Sequence, residues 1–261
     1  MKATHGNNMV TPKKRLGQHF LKDENIARDI AESMRSGNRD VLEIGAGMGV
    51  LTQFLLQNQE IVLKVVEIDE ESVEYLQKHF PVLGENLIAD DFLALPLDEL
   101  FTSTATIIGN FPYNISSQIL FKMLDYKDLV TELVGMFQKE VAERVAAKPG
   151  NKSYGILTVL IQAFYDVEYL FTVNEDKFLP PPKVKSAVIR ILKNPEKKLH
   201  CDEKLFKNVV KTAFNQRRKT LRNSLKSFNF VSAFATDPIF NLRPEQLSVQ
   251  QFETICQNIE F

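Results

Sequence analysis

Apolar positions recur along this chain in two rhythms. Short β-branched runs, DVLEIG (Asp40–Gly45) and EIVLKVVEID (Glu60–Asp69), end in turns or acids and read as buried strands. Between them VLTQFLLQN carries helical spacing. ENLIADDF, TATIIGN and LVTELVGMFQ supply a third, fourth and fifth strand, and VEYLFTV and KSAVIRIL close the set. Helices are predicted over Glu24–Met34, Glu71–His79, Ser116–Asp125, Lys139–Ala147 and Ser153–Phe164. This alternation predicts an α/β protein with a mostly parallel, doubly wound sheet. After KNPEKKLHCDE the strand signals cease, and Leu205–Phe214, Gln216–Phe228 and Ser248–Ile259 carry helical spacing only. The polar, Lys-rich stretch Asn194–Glu203 therefore divides the chain. Residues 1–196 are expected to form an α/β domain with a basic N-terminal arm, and 197–261 a small helical domain.

Composition changes this picture little, but charge placement adds to it. The 261 residues carry a net charge of −1, so no global polycation is present. Yet Met1 to Lys22 holds Lys2, Lys13, Lys14, Arg15 and Lys22 without an acid. Lys211 to Lys226 holds Lys211, Arg217, Arg218, Lys219, Arg222 and Lys226, again without one. The asymmetry is compatible with a basic face for nucleic acid, although a solvated helix face leaves the same signature. Cys201 and Cys256 stand far apart without metal-ligand spacing. They read as reduced thiols of a cytoplasmic protein, and no metal is expected. The N-terminus lacks the apolar core of a signal peptide, and no segment is long enough to span a membrane.

Candidate chemistry collects where strands are predicted to end. In LEIGAGMGVLT, Gly45, Gly47 and Gly49 sit between a strand and a helix, where glycine lets backbone approach a ligand. The spacing is G-x-G-x-G, not the dinucleotide G-x-G-x-x-G with a pyrophosphate at the helix N-terminus. Glu67 follows at the interval at which an acid reaches ribose hydroxyls. Asp91 ends the next strand, with Asp90 beside it. Together these describe a pocket for an adenosine-containing ligand without a pyrophosphate clamp, which favours S-adenosylmethionine over a nicotinamide cofactor. In GNFPYNIS the apolar ATII run meets Pro112, which cannot donate to a strand ladder. An amide (Asn110), a prolyl carbonyl (Pro112) and a tyrosine ring (Tyr113) thus emerge at one strand end.

These motifs, with KKRLGQHFL, FQKEVAERVAAKPGNKSYGILTV, FLPPPKVKSAVIRI and FNQRRKTLRNSL, resemble the ribosomal RNA small-subunit adenine N6,N6-dimethyltransferase family over nearly the whole chain. The resemblance implies a Rossmann-like class I S-adenosylmethionine-dependent methyltransferase domain and a small helical domain. It implies dimethylation of two adjacent adenosines near the 3′ end of small-subunit rRNA. It also implies a cofactor site of His19, Leu21, Gly45, Glu67, Asp91 and Asn110, to which the glycine loop adds Gly47. One departure is visible, because the family usually carries Leu where Phe111 stands.

Adenine N6 is a poor nucleophile, since its lone pair is delocalised into the ring. Asn110 Oδ1 and the Pro112 carbonyl are expected to accept its two N–H bonds, with Tyr113 stacked on the base. Phe178, by resemblance, covers the other face. Arg217, Arg218, Lys219 and Arg222 are expected on one helix, gripping rRNA phosphates. The partner is then the small-subunit precursor and its rRNA, with the enzyme acting as a monomer. A large-subunit rRNA methylase of the erythromycin-resistance type and a chiefly non-catalytic assembly factor are the competing readings.

Overall fold

The computed structural model describes Val10–Glu260; Lys2 of the basic arm lies outside these residues. The strands are β1 (Phe20–Leu21), β2 (Asp40–Ile44), β3 (Val62–Glu67), β4 (Leu87–Ala89), β5 (Ala105–Asn110), β6 (Val130–Gln138), β7 (Tyr165–Val173), β8 (Phe178–Leu179) and β9 (Ser186–Lys193). The helices are α1 (Glu24–Ala31), α2 (Thr52–Leu55), α3 (Glu70–His79), α4 (Leu97–Leu100), α5 (Ser116–Asp125), α6 (Lys139–Val145), α7 (Ile156–Gln162), α8 (Glu203–Asn215), α9 (Leu221–Ser224) and α10 (Val249–Gln257).

Seven strands make one sheet in the order β4-β3-β2-β5-β6-β9-β7. β2 to β6 pair in parallel, and β9 returns antiparallel to β6. A parallel sheet is covered on both faces, so its strands are apolar throughout instead of alternating. In β5 every residue from Ala105 to Gly109 is buried for this reason. The strand order also locates the site. The chain leaves β2 for β3 and β4 on one side, then returns to set β5 against the other edge of β2. Loops following β2 and β5 diverge from that switch point, and a cleft opens at the strands' C-terminal ends.

Two features depart from the sequence pattern. A two-residue antiparallel ladder joins β1 to β8, pairing Phe20 with Leu179 and Leu21 with Phe178; strands this short carry no periodicity to read. The helix expected over Gln216–Phe228 forms only as the short α9, Leu221–Ser224. α8 stops at Asn215, and Arg217, Arg218 and Lys219 lie in a turn, leaving only Arg222 on a helix. Bonds from Arg217 N to Phe214 O (3.1 Å) and Lys219 N to Gln216 O (2.7 Å) close that turn. The Leu221 amide then bonds the Leu242 carbonyl at 2.8 Å, a tertiary partner in place of a helical one.

The chain forms two compact units. One runs to Ala142 and resumes over Glu168–Leu192; the other takes Glu143–Val167 and the chain from Lys193 onward. The last crossing lies between Leu192 and Lys193. The grouping of 143–167 with the C-terminal helices has a packing cause: Tyr154 is fully buried and its ring lies 6.3 Å from that of Phe214.

Candidate active site

The cleft has a volume of about 230 Å³ and is lined by residues of the first unit only. His19, Gly45, Gly47, Glu67, Asp91, Asn110, Pro112 and Tyr113 all reach it. The glycine loop after β2 forms one wall. Gly47 has φ of 56°, and a Cβ there would fall 2.8 Å from the Phe20 ring. The loop can therefore pass under the arm only as glycine. Its amide donates to Glu67 Oε2 at 2.9 Å, and the Asp69 amide donates to Oε1 at 3.0 Å. Glu67 is 4 % exposed, and burial raises its carboxyl above the usual range. A carboxylate has about four acceptor positions, so two backbone bonds orient Glu67 and leave lone pairs for ligand hydroxyls.

The opposite wall is the loop after β4. Asp91 Oδ1 accepts from the Leu93 amide at 2.9 Å, and the Asp91 amide donates to Asp90 Oδ1 at 2.7 Å. Lys122, on α5, pins this loop from behind. Its ammonium donates to the carbonyls of Phe92 (2.5 Å), Leu93 (3.1 Å) and Leu95, and it lies 4.8 Å from the Phe92 ring centroid.

Asn110 closes β5 at the cleft floor. Its Nδ2 donates to the His19 carbonyl at 2.9 Å, which turns Oδ1 into the end left without a partner among the described residues. The Pro112 carbonyl is engaged, accepting from the Ile115 amide at 3.3 Å and the Ser116 hydroxyl at 3.2 Å. The Tyr113 hydroxyl bonds Ser186, which is fully buried, and burial raises the Tyr113 phenol. The His19 ring lies 5.2 Å from the Tyr113 ring, and its Nδ1 bonds the Pro180 carbonyl at 2.8 Å.

Two expected residues stand behind the cleft. Leu21 and Phe178 are 4 % and 1 % exposed and belong to the apolar core. Their pairing in the β1–β8 ladder turns both side chains inward, while Leu179 takes the outward position at 41 % exposure. In this conformation the Phe178 ring therefore offers no face to a base. Phe111 is accommodated by missing side chains. A Cβ at Gly109 would lie 2.9 Å from its ring, and one at Gly135 would fall inside the ring's own space. β5 and β6 place these two glycines side by side.

The sequence placed Lys13 only in a basic arm and did not single out Gln18 or Asp69. Lys13 pairs with Asp69 and, at 3.5 Å, with Glu71; Gln18 Nε2 donates to Asp69 Oδ2 at 3.2 Å. This clasp holds the arm over the cleft, and no local pattern announces a contact across 56 residues. The basic residues Arg217, Arg218, Lys219 and Arg222 belong to the second unit. No helix among the described residues is long and apolar enough to cross a membrane.

The chain resembles proteins of one kind. A relative from Phocaeicola vulgatus, called Ribosomal RNA small subunit methyltransferase A, is 60 % identical over 97 % of this chain and 91 % of its own. A crystal structure of a dimethyladenosine transferase from Plasmodium falciparum is 25 % identical, with a TM-score of 0.76 over 93 % of this chain and 100 % of the other. The 23S rRNA methyltransferase ErmE, at 23 % identity and a TM-score of 0.68 over 92 % of this chain and 100 % of its own, shares the fold. The sheet is accordingly that of a Rossmann-like methyltransferase. The family model described as Ribosomal RNA adenine dimethylase matches residues 9–260, and the chain belongs to that family.

Proposed function

We propose that this protein uses S-adenosylmethionine to dimethylate N6 of two adjacent adenosines near the 3′ end of small-subunit rRNA, acting as a cytoplasmic monomer on the subunit precursor. The observation that carries this reading is the orientation of Asn110. Its amide nitrogen is held by the His19 carbonyl, so an acceptor oxygen is presented at the cleft floor between the glycine loop and the Asp91 loop.

The residues fit the cofactor. Glu67 keeps free acceptor positions that would take ribose hydroxyls, Asp91 would accept from the adenine edge, and the loop of Gly45 and Gly47 admits backbone contact. When bound, S-adenosylmethionine supplies an electrophilic methyl group on its sulfonium. The chain's own part is positional. Asn110 Oδ1 accepts an N6–H and draws the nitrogen toward sp³ geometry, which localises the lone pair for in-line attack. The Pro112 carbonyl takes the second N–H as its long bonds to Ile115 and Ser116 loosen. Tyr113, braced by Ser186, offers a ring face to the extruded base, worth about 1–3 kcal/mol. Leu21 and Phe178 serve by packing, keeping β1 and β8 in place beside His19. Arg217, Arg218, Lys219 and Arg222 serve the rRNA side in the second unit.

The test is labelled methyl transfer to small subunits that lack these methyl groups, followed by primer extension on both rRNAs. Two modified adjacent adenosines near the 3′ end of small-subunit rRNA are expected. Label confined to large-subunit rRNA, or binding without transfer, would overturn the reading.

A further inference from the structure

The basic run of the second unit is not one uniform patch. Arg217 is only half-exposed, and its guanidinium is already committed. Nη2 donates to the Lys152 carbonyl, and Nε lies 3.9 Å from Glu245 Oε2. The same Glu245 accepts the Gly150 amide on its backbone carbonyl at 2.7 Å. Arg217 and Glu245 thus bracket the loop 148–153 from two sides, fixing it beside the turn that carries Arg218 and Lys219. Lys148 and Lys152 on that loop are exposed, as are Arg218 and Lys219 on the turn. None of these four side chains has a partner among the described residues. Glu245, the acid within the bracket, is faced by Arg217.

We propose that Lys148, Lys152, Arg218 and Lys219 form one composite phosphate-binding surface for RNA, and that Arg217 is its positioning residue instead of a phosphate ligand. The proposal deepens the rRNA reading above and rests on it. Four exposed cations without partners among the described residues sit on two segments far apart in sequence that the Arg217–Lys152 bond ties together. A merely solvated face has no need of an arginine spent on holding a loop's carbonyl. Arg217 suits the bracket because its planar fork donates to a carbonyl while its charge stands 3.9 Å from Glu245 Oε2, a buried oxygen with no hydrogen-bond partner among the described residues, which a lysine ammonium cannot reproduce.

The experiment measures binding of the full-length protein to unmethylated small subunits across a salt series. For Lys148→Ala/Lys152→Ala the log–log salt slope is expected to fall by about 1.4–1.8, two contacts at roughly 0.7–0.9 each. Arg218→Ala/Lys219→Ala should match it. Arg217→Lys keeps the charge yet is expected to weaken binding as much as Arg217→Ala, and to speed hydrogen exchange at the Gly150 amide. A parental slope in the Lys148→Ala/Lys152→Ala variant overturns the composite surface. Parental affinity in Arg217→Lys, with unchanged Gly150 exchange, overturns the bracket. Labelled methyl transfer by the parent is run alongside. Its failure would remove the rRNA reading itself, whereas its success with an unaltered slope would remove only this surface.

Discussion

Asn110 shows how much one side chain's orientation depends on a distant backbone atom. Its amide nitrogen is fixed by the His19 carbonyl 91 residues earlier, which leaves the acceptor oxygen of this cleft-lining residue without a partner among the described residues. Asn110→Ala is therefore expected to cut the single-turnover rate at saturating cofactor by about 100-fold or more, the scale of a misplaced reacting group. Binding to subunits should change far less. A near-parental rate would remove N6 positioning from the mechanism. Phe111 makes a second residue-scale case, since this chain makes room for its ring at Gly109 and Gly135. Gly135→Ala should destabilise by about 1–3 kcal/mol through overpacking. Combining it with Phe111→Leu should recover much of that loss. Denaturant unfolding of the two single variants and the double closes the cycle, and simple additivity would show that the two sites are independent.

At the scale of elements, the cleft walls are loops held by groups that do not themselves line the cleft. Lys122 on α5 binds three carbonyls of the loop that follows Asp91. Burial lowers its pKa, and the nearby Asp91 opposes that shift. Lys122→Met should free the loop and weaken S-adenosylmethionine binding by about 1 kcal/mol, roughly fivefold in Kd by calorimetry. Unchanged affinity would mean the loop holds its shape unaided. On the other side, Glu43 of β2 is buried and bonds the Thr52 hydroxyl at 2.7 Å. Burial pushes its pKa from 4.5 up to about 8. A carboxyl raised in this way binds its proton more tightly when folded. The stability it contributes is complete below 4.5 and is lost as pH rises through about 8. The parent's thermal midpoint should decline over that window. Glu43→Gln should flatten part of the decline, with Glu67, raised in the same direction, supplying the remainder.

At the scale of the whole molecule, the cleft and the basic run Arg217–Lys219 lie in different units. The cleft draws every lining residue from the first, and Arg218 and Lys219 stand in the second. Arg218→Ala/Lys219→Ala should therefore weaken subunit binding in a salt-dependent way while the Kd for free S-adenosylmethionine stays parental. A change in cofactor affinity would show that these two residues also act on the first unit.

The sequence by itself determined the alternation of strands and helices, and with it the sheet and the position of its loops. Buried parallel strands must be apolar, and a period of two or of 3.6 can be read from one segment alone. It also marked Gly45, Gly47, Glu67, Asp91 and Asn110, because each ends a strand or follows one at a fixed interval. Tertiary structure decided what no local period encodes. It paired β1 with β8 and turned Leu21 and Phe178 into the core. It broke the expected helix after Gln216 by offering Leu221 a carbonyl at Leu242. It set Lys13 and Gln18 on Asp69, Lys122 beneath the Asp91 loop, and Arg217 on Lys152. Each of these is a contact between residues far apart in the chain, made by polar groups that must find partners once burial takes away their water.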